Sequence, residues 1–124
     1  MQAAGLGITA LTGAAIAALG ILYLVRPRMV AVSFGLPVLP HAEATPWLRL
    51  KGVRDLTAGI AAGVLIVTAP PDVIGWVLLA FTIIPLGDAA TVLSAHGKAS
   101  AAWGIHGTTA AIMLLGVILL IGAS

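Results

Sequence analysis

The chain contains no cysteine, and few of its side chains carry charge. Without thiols there is no disulfide, no thiolate metal site and no Cys-based redox relay, and the compartment is left unmarked. Charged residues make up only 8% of the 124 positions, against roughly a quarter in a soluble globular domain. A water-facing surface cannot be built from so few charges, so the composition excludes an ordinary soluble domain. Aromatic residues are also scarce, at 5%, with Tyr23 the single tyrosine. Six Lys/Arg against four Asp/Glu leave a formal net charge of +2. The six cations form no patch long enough to engage nucleic acid, and their placement reads as membrane topology instead.

What is present is apolar: 60% of residues are hydrophobic and the mean hydropathy is +1.16. The length suits one domain, 1–124. A hydrocarbon core of about 30 Å takes about 20 helical residues, and four segments fit, about 4–25, 52–69, 73–95 and 100–122. The expected fold class is therefore an all-α membrane protein, a four-transmembrane-helix bundle. The first segment reads as a spanning helix, because Met1 and Gln2 supply no basic n-region and the uncharged run from Ala3 to Val25 is too long for a signal peptide.

Pro70-Pro71 in "APPD" ends the second helix and makes the third its antiparallel neighbour, and "AHGKAS" joins the third to the fourth in the same way. The connection 26–50 contains Pro27, Pro37, Pro40 and Pro46. It is too rich in proline for a helix and too apolar for a solvated loop, so it is expected along the membrane interface with Trp47 as anchor. Arg26, Arg28, Arg49 and Lys51 fall in or beside that connection, Lys98 falls between the last two helices, and the opposite side has no Lys or Arg. The positive-inside rule then puts both basic connections in the cytoplasm and both termini outside. The expected setting is the plasma (inner) membrane of a bacterium, with the lipid bilayer as partner.

Small residues are spaced for close helix contact at Gly13, Ala17 and Gly20 in the first segment and at Gly59 and Gly63 in the second. In lipid such faces supply much of the packing, although a chain rich in Ala and Gly also produces these spacings by chance.

Depth is more informative. At 1.5 Å per residue, Asp55 and Arg54 lie about 21 and 22 Å from the outer end of the second helix, and Asp88 and His106 about 22 Å along theirs. Three helices thus bring ionisable groups to one layer, roughly 8 Å inside the cytoplasmic edge, with Tyr23 close to it. A charge facing acyl chains costs about 2.5–3.5 kcal/mol on insertion scales, so these groups are expected to turn inward and satisfy one another. Pro85, one turn before Asp88, is expected to bend the third helix.

Each residue carries two readings. Arg54 is either an anion clamp in the interior or an interfacial cation that snorkels. Asp55 pairs with Arg54, caps the second helix or takes part in chemistry, and Lys51 reads as interfacial. Asp88 is a functional acid under the default for intramembrane ionisable groups, or the structural partner of Arg54. His106 is a proton carrier or a packing residue; no second His or Cys stands at ligand spacing, so neither a metal nor haem is implied. Thr91, three residues after Asp88, and Trp103, three before His106, share helix faces with those groups and join Tyr23 as candidate ligand-binding residues. Trp47, Trp76 and Trp103 lie near segment ends, as an interfacial belt requires.

"RPR" after the first helix, "FGLP" in the long connection and "KGVRDLTAG" opening the second resemble a family of small four-helix integral membrane proteins of unknown function, allied to the DoxX-like group. The resemblance implies a four-helix bundle and a recurrent Arg-Asp pair, matched by Arg54 and Asp55, and it transfers no mechanism. DoxX-type proteins proper are linked to quinone-coupled sulfur oxidation; nothing in this chain independently points to a quinone or to any other cofactor.

Three functions compete. A membrane-embedded acid–base enzyme, such as an isomerase, cyclase or epoxide-opening hydrolase, would act on a lipophilic small molecule, with Asp88 and His106 exchanging protons and Arg54 stabilising developing negative charge. A non-catalytic partner subunit or ligand-binding scaffold would use Arg54, Asp55 and Asp88 as a structural network. A proton-coupled small transporter with Asp88 as carrier would need a homo-oligomer to enclose a path.

Overall fold

Prolines set the helix starts. A computed structural model describes residues 1–122, and every regular element in it is helical. The elements are α1 (Gln2–Val25), α2 (Pro27–Ala31), α3 (Thr45–Thr68), α4 (Pro71–Phe81), α5 (Ile83–Ser94), α6 (Ala99–Ala101) and α7 (Thr108–Ile121). Tight 3₁₀ turns lie at Val32–Phe34 and Ala42–Ala44, and a π-helical turn at Ala102–Gly107. Pro27, Pro46 and Pro71 each occupy the first or second position of a helix, where the missing N–H has no intrahelical partner to lose.

This placement corrects the expectation that 26–50 is non-helical throughout. Pro27 opens α2 and Pro46 sits at the start of α3, so α3 begins seven residues ahead of the predicted 52. Only Pro37 and Pro40 remain in irregular chain. Trp47 lies on the first turn of α3, exposed, and Val38 and Leu39 are exposed beside it in the connection.

Three helical stretches are long and apolar enough to cross a membrane: Gln2–Val25, Pro71–Ser94 and Ala99–Ile121. Only 22%, 33% and 33% of their apolar windows are buried inside the protein. The remaining apolar surface, including Leu11, Ile83 and Ile118, faces outward, which suits lipid and not water. Expected as a fourth span, α3 falls outside this set, because Arg49, Lys51, Arg54 and Asp55 load its first half with charge.

α1 lies antiparallel to α3 at very close range. A methyl group on Gly20 would overlap backbone atoms of Leu56 and Gly52, and one on Gly59 would strike Ala17 and the Gly13 carbonyl. Gly52, which the sequence spacing does not single out, faces the Gly20 carbonyl and Tyr23. Gly63 meets nothing and plays no part in the contact. α7 packs antiparallel on α1 through Gly5 and Gly116, and on α4 through Gly75. Around these approaches Ile74, Leu78, Met113, Val117 and Leu120 form a tight apolar core near the two termini.

Toward the other end α1 and α3 stay in contact, while a gap opens between them and the later helices. The rod containing Pro85 is interrupted at Thr82, three residues earlier, between α4 and α5. The Thr82 hydroxyl donates to the Leu78 carbonyl at 2.9 Å there, a side-chain bond of the kind that accompanies helix bends. The connection after α2 folds across this end as a strap. Lys98 N–H donates to the Gly35 carbonyl at 2.7 Å, Gly35 has φ +101° in the left-handed region, and a methyl group on it would strike Ala101.

Candidate functional site

The separation leaves a cavity of about 340 Å³ between α1, α3, α4, α5, the π-helical turn, α7 and the strap. Most of its wall is apolar, with Leu11, Ile16, Phe81, Ile84, Ile112 and Met113 among the lining residues. Its ionisable residues, Tyr23, Lys51, Asp55, Asp88 and His106, gather at the strap end, while the hydroxyls of the other polar lining residues, Thr12, Ser33 and Thr109, donate to nearby backbone carbonyls. Four helical segments therefore contribute at least one ionisable group each to a single, mostly apolar pocket.

Lys51 is the hub of the cluster. Its Nζ donates to Asp55 Oδ2 at 2.8 Å, one turn further along α3, and lies 3.9 Å from Asp88 Oδ2 on α5. The same ammonium stands 5.2 Å from the Tyr23 ring centre and 5.5 Å from that of Phe34, within cation–π range. Asp55 is buried to 6% exposure, and this pairing is what makes a carboxylate tolerable there.

His106 closes the opposite side. Its Nε2 is 3.1 Å from the Phe34 carbonyl oxygen of the strap, and the two rings lie 4.7 Å apart. A carbonyl oxygen only accepts, so Nε2 carries hydrogen and, in the neutral imidazole, Nδ1 presents its lone pair. Nδ1 lies 3.8 Å from Asp88 Oδ2. That is too far for a direct hydrogen bond and close enough for one atom placed beside the pair to reach both. His106 is 8% exposed and sits in the π-helical turn, a feature that often marks functional sites.

Three candidate residues stand outside the cluster. Arg54 is exposed on α3, and no ion pair among the described residues includes it. Positions i and i+1 do not share a helix face, whereas i and i+4 do, so Lys51 and not Arg54 faces Asp55. Thr91 is exposed and donates to the Gly87 carbonyl at 2.8 Å; the buried stripe of α5 runs through Pro85, Ala89 and Val92, and Thr91 is turned away from it. Trp103 is 64% exposed. Its three-residue spacing from His106 assumes an α-helical turn, and the wider π-helical turn breaks that alignment. Tyr23, Asp55, Asp88 and His106 do meet at the cavity.

Sequence reading missed two participants, Lys51 and Phe34. The four-residue step from Lys51 to Asp55 was a usable signal for the first. Nothing in "FGLP" announces that a carbonyl 72 residues away would orient His106. Among the described residues no three His, Asp or Glu side chains gather at metal-ligand spacing.

Comparison with curated proteins and with solved structures gives no match. The family described as "Domain of unknown function (DUF4267)" matches residues 13–120, nearly the whole chain and the cluster of Tyr23, Lys51, Asp55, Asp88 and His106, and the protein belongs to that family.

Proposed function

We propose that the protein is a membrane-embedded site for proton-transfer chemistry on a lipophilic small molecule, of the isomerase, cyclase or epoxide-opening class. One observation carries this reading: the His106 lone pair and the Asp88 carboxylate face each other across 3.8 Å at the polar end of an apolar cavity. His106 is the base, held in its tautomer by the Phe34 carbonyl. Asp88 steadies the imidazolium that forms, and Lys51, held by Asp55, stabilises negative charge developing on the bound molecule.

In this proposal all four helical rods cross the bilayer as a four-helix bundle, with both termini outside and the basic connections in the cytoplasm. The membrane is the plasma (inner) membrane of a bacterium. The asymmetry of Lys and Arg supports this orientation, and it puts the charged half of α3 at the cytoplasmic interface. Kinship with the DoxX-like group is supported only by the three motif stretches, of which "FGLP" forms the strap and "KGVRDLTAG" holds Lys51 and Asp55.

The experiment is a comparison of lipid-soluble extracts incubated in deuterated water with the wild-type protein and with Asp88→Asn, both in nanodiscs. The wild type converts or deuterates at least one lipophilic component, and the variant, folded normally, does not. An Asp88→Asn protein with undiminished turnover ends the mechanism. A second reading takes the cluster as structural, in a non-catalytic scaffold, a homo-oligomer or a partner membrane subunit. The short Lys51–Asp55 pair favours it, because such a bond holds one helix face without needing a ligand.

A further inference from the structure

At the polar end of the cavity the Lys51 ammonium and the Tyr23 hydroxyl are donors, and the gap between Asp88 and His106 is flanked by acceptors. Asp55 is served by Lys51 at 2.8 Å. Asp88 is not: the Lys51 Nζ and His106 Nδ1 nitrogens stand 3.9 and 3.8 Å from its Oδ2, beyond hydrogen-bond length. In the neutral imidazole Nδ1 is an acceptor too, since the hydrogen on Nε2 is engaged by the Phe34 carbonyl. Two acceptors therefore flank one gap, and the atom that fills it must bring at least two hydrogens. The formal charges agree: with His106 neutral, Lys51 offsets one of the two lining carboxylates and leaves one negative charge over, in a cavity whose other lining residues are uncharged and mostly apolar.

We infer that the cavity binds a lipophilic primary or secondary ammonium, its apolar body along the cavity and its N–H groups shared between Asp88 and His106 Nδ1. An alcohol supplies one hydrogen and leaves an acceptor unpaired; a carboxylate supplies none and meets a like charge. A quaternary ammonium supplies the charge without the hydrogens. The inference rests on the proposed function only in placing the ligand in this cavity, and it names the class of head group.

The probes are decylamine, decyltrimethylammonium, 1-decanol and decanoate, titrated by calorimetry into the full chain in phosphatidylcholine nanodiscs, with empty nanodiscs subtracted. Decylamine is expected to bind about tenfold or more tighter than each of the others, the value of one charge-assisted hydrogen bond. Asp88→Asn and His106→Phe should each reduce that preference. If 1-decanol or decyltrimethylammonium binds as well as decylamine, the ammonium assignment is overturned while a ligand-binding cavity stands. If none of the four binds, the cavity reading falls with it. Because the discrimination is measured on the wild type, a variant that does not fold leaves the test intact.

Discussion

At the residue scale the decisive exchange is between Arg54 and Lys51. Both are cations near the start of the charged stretch, and only their angular position on α3 separates them. Lys51 shares a face with Asp55, and Arg54 points outward. Lys51→Ala should therefore destabilise the protein by about 2–3 kcal/mol, because it leaves the Asp55 carboxylate buried without its partner. Arg54→Ala should change stability by no more than about 0.5 kcal/mol. Melting temperatures of the two variants in the same detergent check the pair, and equal losses would return Arg54 to the network. Asp55 and Asp88 were legible as inward-facing from depth alone. Thr91 and Trp103 were misread, since their shared-face argument used spacing without the buried stripe of α5 or the π-helical turn.

At the scale of elements, close approach of α1 and α3 depends on glycines whose neighbours are backbone atoms. Backbone cannot rotate away as a side chain can, so Gly20→Ala should force the helices apart and cost about 1–3 kcal/mol. Gly63→Ala, facing open space, should be neutral or gain up to about 1 kcal/mol from helix propensity. Chemical unfolding of both variants separates a built contact from a chance spacing; a harmless Gly20→Ala would mean the contact is loose. The strap has its own test. Gly35 combines a positive φ with contact against Ala101, so Gly35→Ala should cost about 1–2 kcal/mol and free the Phe34 carbonyl from His106. Nitrogen NMR of His106 would then report a change in tautomer, and an unchanged spectrum would show that the strap does not set it.

At the scale of the whole molecule, the chain's lack of cysteine makes topology directly readable. With a membrane-impermeant maleimide on intact cells, Asp72→Cys should label at once and Lys98→Cys only after permeabilisation. The reverse pattern would invert the proposed orientation and place the cavity's polar end outside. The molecule is packed near its termini and again beneath the strap, around Tyr23, Val30 and Ala31 and around Ala89, Val92 and Ala102, and the cavity of about 340 Å³ lies between these packed regions.

The sequence by itself determined the all-helical membrane class and the break between α3 and α4 at Pro70-Pro71. These follow from composition and proline positions, which are local properties. Tertiary structure alone decided which cation enters the cluster, where the strap lies and which nitrogen of His106 is free. Those depend on helix rotation, on a π-helical turn and on a carbonyl distant in sequence, and no local rule encodes how separate helices rotate against one another.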